Sequence, residues 1–386
     1  MTTEIPRDLN LAVTTAEKSS FLFGPRATGK STLIERQLGD ALVIDLLSGE
    51  SYLPLSQNPS ELAAMVEARP EALVVIDEVQ KLPLLLDEVH RLIQKKGRRF
   101  LLTGSSARKL KRNNANMLGG RATQAMLLGL TWHELAEAQK FDLERVLMFG
   151  SLPRVYLSTN PYEELIDYIT LYLKEEIQLE AEVRNLPAFH RFLRLAAQGS
   201  GELLNYTNVA SDVGLSGKTI KDYFDILDDT LIGYRLEPWR FGKSRKATST
   251  AKHYLFDCGV VHALTGTRQL DRNSNLYGRA FEHFILNEVR CYNAYRRRHW
   301  ELTFWRTKHG DEVDLVIDDR LAIEIKSSVR TSERDTKGLA KIAEEGTWQR
   351  RVLVSQDPTE RKYDGDLWLL PWTTFFKQLW AGEFDG

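Results

Sequence analysis

The sequence predicts an α/β fold: a core built on a parallel sheet, a mostly helical middle, and a second α/β unit towards the C-terminal end. Three observations predict it. Apolar runs and amphipathic stretches alternate from Ser19 to Ser106, the pattern of right-handed β-α-β crossovers. Gly24-Pro25-Arg26-Ala27-Thr28-Gly29-Lys30-Ser31 spells G-x-x-x-x-G-K-[ST] between an apolar run and a helical stretch. From Gly278 onward, one amphipathic stretch precedes a set of short apolar runs that includes Ile323-Glu324-Ile325-Lys326.

The chain has 386 residues, enough for two or three domains with their own cores. We expect them at 1–130, 131–240 and 241–386. A hydrophobic share of 42% and a charged share of 27% fit a soluble globular protein. No apolar run reaches the ~20 residues of a membrane span, and Met1 to Asp8 carries no basic-then-apolar leader. Cys258 and Cys291 are too few for a disulfide framework or a cysteine zinc site, and are expected as core filler. Together these features lead us to expect a cytoplasmic protein with no membrane partner. Lys and Arg number 52 against 53 Asp and Glu, a net charge of −1. Any contact with DNA must then come from local basic patches.

The elements follow in order. A short helix is expected over residues 9 to 18, then a buried strand at Ser19-Ser20-Phe21-Leu22-Phe23. In the loop that follows, glycines let backbone N–H groups approach a polyphosphate, and the helix start adds the positive end of its dipole. Gly24, Pro25, Arg26, Ala27, Thr28, Gly29, Lys30, Ser31 and Thr32 are therefore the expected ATP cradle. Lys30 would reach the β- and γ-phosphates, and the Ser31 hydroxyl would ligate Mg²⁺.

A strand at residues 41–46 and a helix at 59–66 come next. Ala72-Leu73-Val74-Val75-Ile76 then ends in Asp77-Glu78, the form of a Walker B strand. Asp77 would hold Mg²⁺ through water and Glu78 would polarise the attacking water; as an alternative, the acids cap the next helix. A helix over 84–93 leads to a strand ending in Thr103-Gly104-Ser105-Ser106. In AAA-type ATPases a polar residue here senses the γ-phosphate. Ser105 is the first candidate, with Ser106 and Thr103 beside it; a plain turn is the alternative.

Arg108 to Asn116 is basic and polar and reads as an exposed loop. Beyond it, Arg121 is a candidate finger on a neighbour's nucleotide. That role needs a head-to-tail homo-oligomer or ring, a hexamer among them; otherwise Arg121 is a surface arginine. Residues 131–198 are helical in pattern, with Gly150 as a stop and Arg154 as a candidate lid arginine.

Tyr206 to Val213, the turn Gly214-Leu215-Ser216 and Gly217 to Leu227 have the pattern of a helix-turn-helix, with a wing strand at 231–236. In a DNA-reading version Lys218, Thr219 and Lys221 face the groove. Asp222, Asp225, Asp228 and Asp229 on the same helix argue against it. Gly242 to Lys252 is a basic linker or wing tip, suited either to phosphate contact or to plain solvation.

In the last third, a helix bearing Glu282 precedes strands bearing Asp314 and then Glu324-x-Lys326. This order is the layout of restriction-endonuclease-like nucleases. Strand alternation puts Glu324 and Lys326 on one face. Asp314 and Glu324 would hold Mg²⁺, Lys326 would orient a hydrolytic water, and Glu282 would complete the site. Arginines 296 to 298 would guide a phosphate backbone or sit in an exposed hairpin.

Taken together, the phosphate loop, Val75 to Lys81, Leu102 to Ala107, Leu118 to Ala122, Gly150 to Pro153, Phe281 to Phe284, Phe304 to Thr307 and Ile323 to Ser328 resemble a family. It is the prokaryotic AAA-type (AAA+) P-loop ATPases with a nuclease-like C-terminal region. The resemblance implies ATP binding, an AAA+ core, a winged helix and a restriction-endonuclease-like tail. Two functions follow as expectations. One is an ATP-hydrolysing protein that acts on DNA, with or without Mg²⁺-dependent nuclease activity. The other is a nucleotide-switched regulatory ATPase whose C-terminal domain binds a protein partner and does not cut DNA.

Overall fold

A computed structural model describes residues 5–106, 118–173, 185–240, 250–363 and 365–385. The basic stretch 108–116, residues 174–177 and most of the stretch from Gly242 to Lys252 lie outside the described residues.

The first domain is a five-stranded parallel sheet in the order β2-β3-β4-β1-β5. Its strands are β1 (Ser19–Phe23), β2 (Leu42–Asp45), β3 (Val74–Asp77), β4 (Phe100–Gly104) and β5 (Ala122–Met126). The three inner strands β1, β3 and β4 are buried along their length, as strands covered on both faces must be. β5 has no continuous apolar run and is half-exposed, so hydrophobic patterning missed it.

Helices α1 (Leu11–Thr14), α2 (Lys30–Gln37), α3 (Gly49–Gln57), α4 (Glu61–Glu67) and α5 (Leu85–Lys96) connect the strands. α1 is shorter than expected, and α3 was not expected because Pro54 lies inside it. α5 ends where Gly97 turns left-handed at φ +63°.

The middle is helical: α6 (Trp132–Glu137), α7 (Leu143–Phe149), α8 (Pro153–Leu157), α9 (Pro161–Asp167), α10 (Leu186–Gln198), α11 (Tyr206–Val213) and α12 (Gly217–Asp229). Gly214 at φ +74° turns the chain between α11 and α12. Ser216 then caps α12 by accepting from the Thr219 N–H. Phe189, Phe192, Tyr223 and Phe224 interlock beneath this pair.

The third part is a nine-stranded mixed sheet in the order β13-β14-β12-β11-β10-β9-β7-β8-β6. Its strands are β6 (Glu202–Leu203), β7 (Gly233–Pro238), β8 (Lys252–Leu255), β9 (Leu302–Arg306), β10 (Glu312–Ile317), β11 (Leu321–Lys326), β12 (Arg350–Ser355), β13 (Arg361–Lys362) and β14 (Leu367–Pro371). Helices α13 (Cys258–Thr265), α14 (Asn275–Tyr295), α15 (Lys337–Ile342) and α16 (Trp372–Trp380) pack around it.

β7 pairs antiparallel with β8 and parallel with β9, so one sheet runs from the middle segment into the C-terminal unit. A domain boundary between residues 240 and 241 therefore falls between two paired strands. A single hydrophobic cluster reaches from Leu22, Leu33 and Leu127 to Phe284, Tyr292 and Phe376. Cys258 and Cys291 are buried free thiols, as core filler would be. Among the described residues, no helix is long and apolar enough to cross a membrane.

Candidate functional site

The phosphate loop leaves the end of β1 and closes into α2. A Cβ at Gly24 would come within 2.2 Å of the Leu127 carbonyl oxygen, so the loop runs closer to its neighbour than any other residue allows. Gly29 turns at φ +91° and puts no capping side chain over the start of α2. The helix therefore offers its first N–H groups to an anion. Lys30 is buried, and its Nζ donates to the carbonyls of Gly24 at 2.7 Å and Pro25 at 3.1 Å.

The strand order places β4 between β1 and β3, and this decides which polar residue meets Asp77. The Ser31 hydroxyl donates to Asp77 Oδ2 at 3.1 Å. The Thr103 hydroxyl donates to the other oxygen, Oδ1, and accepts from the Glu78 N–H at 3.0 Å. Thr103 is thus the group joined to the Walker acid.

Ser105, the first candidate for that place, lies one residue past the strand end. It meets Gln80 Nε2 at 3.2 Å, and Gln80 also donates to Glu78 Oε2. Glu78 is held in the left-handed region at φ +58°, a conformation uncommon for a residue with a side chain. Ser106 turns away and donates to the Asp229 carbonyl at the end of α12, at 3.4 Å. Arg121 is exposed beside the edge strand β5 and donates to the Gly119 carbonyl at 3.4 Å.

Arg7 carried no recognisable motif, yet it organises the loop from behind. It is buried; its Nε bonds both Glu134 oxygens at 3.0 Å, and Nη1 donates to the Thr28 carbonyl at 2.7 Å. Nη2 reaches the carbonyls of Leu128 and Gly129 at 2.8 and 2.9 Å and the Tyr295 hydroxyl at 3.0 Å. Beside the loop a cleft of about 1040 Å³ opens between Ala27, Thr32, Arg36, Leu130, Pro153 and Leu157. Arg154 stands at its rim, paired with Glu164 at 2.6 Å.

These residues fit a Mg²⁺–nucleotide. The loop backbone and Lys30 would hold the phosphates, and Ser31 and Asp77, already in contact, would hold the metal. When bound, Mg²⁺ would neutralise charge on the β- and γ-phosphates.

The C-terminal residues are arranged differently. Glu282 Oε1 accepts from the Tyr254 hydroxyl at 2.6 Å and lies 3.4 Å from Lys252 Nζ. Lys252 also pairs with Glu312 at 2.5 Å. Asp314 Oδ2 accepts from the Ile325 N–H at 2.7 Å, and Lys326 Nζ pairs with Glu324 Oε1 at 2.5 Å. Burial, then Glu324 and Glu282, push the Asp314 carboxyl well above the usual carboxylate range. Burial also raises Glu324, against the pull of Lys326.

Among the described residues Glu324 Oε2 has no hydrogen-bond partner, but it faces helix α15: a Cβ at Gly338 would lie 3.0 Å from it. Among the described residues no three acidic, His or Cys side chains are grouped to hold a metal. Glu282, Asp314 and Glu324 are neighbours, and each carboxyl group is already bonded within the protein. Arginines 296 to 298 each have a partner within the protein. Arg297 donates to Thr123 of β5 at 3.0 Å, Arg298 pairs with Asp385, and Arg296 covers the Trp380 ring.

Elsewhere on α14, Glu288 docks the helix on α6 and α16. Its buried carboxylate accepts from the N–H of Trp132 at 2.8 Å and of His133 at 3.4 Å, and from Trp380 Nε1 at 2.7 Å. Burial pushes Glu288 up to about 8 despite those donors.

Residues 16–136 match the family model described as AAA domain. Residues 140–271 and 277–375 match two domains of unknown function, DUF8612 and DUF4143. The chain is 27% identical over 307 residues to the uncharacterized protein Rv2008c of Mycobacterium tuberculosis, covering 77% of this chain and 67% of that one. It is 21% identical over 367 residues to an uncharacterized protein of Haemophilus influenzae, covering 86% and 87%. Among solved structures, the Aeropyrum pernix ORC1 protein in complex with DNA aligns at a TM-score of 0.28 and 13% identity, over 66% of this chain and 90% of that one. The N-terminal part of this chain is an AAA-type P-loop ATPase domain, followed by regions that match domains of unknown function.

Proposed function

We propose that the protein hydrolyses ATP at the site of Lys30, Ser31, Asp77, Glu78 and Thr103, and couples the nucleotide state to DNA. The observation that carries the DNA part is the position of α11 and α12. Lys218 and Lys221 are exposed on α12. Two of the four acids that argued against DNA are paired within the protein: Asp225 and Asp228 bond Arg235 of β7 at 2.5 and 2.9 Å, and Asp228 also meets His253 at 3.1 Å. Asp222 is left as an exposed acid on that helix. The Ser106–Asp229 contact joins the end of α12 to the strand that carries Thr103. This supports a path from the Walker acids to a winged-helix DNA reader.

Arg121, exposed at the edge of the sheet, would act in trans in a head-to-tail ring. Cleavage of DNA is not part of this reading, because the C-terminal carboxyl groups are already bonded to protein donors.

The test is ATP hydrolysis by the full chain with and without single-stranded, duplex and branched DNA, with Lys30→Ala as the blank. Stimulation by one DNA form is expected. Turnover indifferent to every DNA form, with ATP-dependent assembly instead, would replace this reading with that of a regulatory switch that binds a protein partner.

A further inference from the structure

The acidic cluster at the C-terminal sheet already contains a cation, and it comes from outside the segment whose sequence has the nuclease-like layout. Lys252 lies on β8, a strand buried at every position, and the lysine itself is 3% exposed. Pairing with β7 sets Lys252 opposite Leu236. Strand alternation then turns Lys252 and Tyr254 to the same face, and both side chains reach Glu282.

Lys252 Nζ lies 2.5 Å from Glu312 Oε1 and 3.4 Å from Glu282 Oε1, with the Phe304 ring 5.3 Å away. The other Glu312 oxygen pairs with Arg306 at 3.0 Å. Glu282 comes from α14, Glu312 from β10 and Asp314 two residues further along the same strand. A divalent ion bound here would need these oxygens at close to 2 Å in an ordered shell. A fixed ammonium among them occupies the space and repels a second cation.

We propose that Lys252 Nζ is the resident cation of this cluster: it takes the place of a divalent ion, keeps one out, and ties the β7–β8 hairpin to the C-terminal sheet. The lysine matches part of one family region (residues 140–271) while its carboxylate partners match another (277–375). The C-terminal region by itself therefore shows the acids but not the lysine that pairs with them. The proposal does not depend on the ATPase or DNA readings.

The experiment is Mn²⁺ binding to the nucleotide-free full chain, with the free ion counted by electron paramagnetic resonance. Asp314→Asn serves as the reference for this cluster. We expect the wild type and Asp314→Asn to bind alike at millimolar Mn²⁺. Lys252→Met should bind Mn²⁺ at least about ten-fold more tightly than the wild type, and adding Glu282→Gln should abolish the gain.

A wild-type site lost in Asp314→Asn would overturn the proposal. So would a folded Lys252→Met protein that binds no more Mn²⁺ than the wild type. The wild-type comparison needs no change at Lys252, so it decides the matter even if that variant does not fold. ATP turnover in the same samples reports separately on the ATPase reading.

Discussion

Arg7 Nη2 and the Tyr295 hydroxyl meet at 3.0 Å, and through this contact the phosphate loop touches the last turn of α14. The Tyr295 hydroxyl also accepts from the Leu128 N–H at 3.1 Å. Tyr295→Phe removes one acceptor from two buried donors, and we expect a loss of about 1–2 kcal/mol in denaturant unfolding. Arg7→Ala also leaves Glu134 as a buried charge without its partner, and should cost about 3–5 kcal/mol. Arg7→Lys keeps the charge but loses the planar fork, and should raise the KM for ATP several-fold as the hold on the Thr28 carbonyl slackens.

Thr103 and Ser105 can be told apart by turnover. Thr103→Val removes the donor to Asp77 and the acceptor of the Glu78 N–H while keeping the shape. We expect kcat to fall by about ten-fold or more with nucleotide affinity little changed, as for a group that acts on the reacting state. Ser105→Ala should stay within about three-fold of the wild type. The reverse order would return the sensing role to Ser105.

Glu288 gives the fold a pH dependence. Its carboxyl titrates near 4.5 when unfolded and at about 8 when folded. Between those values the folded state holds a proton that the unfolded state has lost, so stability falls as pH rises through this window and is level above it. Each unit of such a shift is worth about 1.4 kcal/mol, so the loss amounts to a few kcal/mol. Glu288→Gln should flatten that part of the curve, measured by urea unfolding from pH 5 to pH 8.5. A variant with the wild-type slope would show that Glu288 ionises freely in the folded protein.

Lys218 and Lys221 are the exposed cations of α12. If they contact DNA phosphates, Lys218→Ala and Lys221→Ala should each weaken binding for all sequences alike. Each should also lower the slope of log affinity against log salt by about one. An unchanged slope in both would remove α12 from the DNA interface.

Local chemistry wrote the nucleotide site into the sequence. Gly24 to Ser31 and Asp77-Glu78 could be read because a phosphate loop and a Walker strand draw their residues from short contiguous stretches. The inner strands and the amphipathic α5 were legible for the same reason, since burial on both faces or on one leaves a pattern along the chain. β5 left no such pattern, because an edge strand is only half-buried.

Tertiary structure decided the rest. It set Thr103 and not Ser105 against Asp77, because the strand order decides which residue stands there. It brought Arg7 under the phosphate loop and onto Tyr295, a contact across 288 residues of chain. It also put Lys252 between Glu282 and Glu312, in the unit where sequence alone suggested a metal at Asp314 and Glu324. A buried charge is placed by whatever opposite charge the fold brings within reach, and separation along the chain carries no record of that.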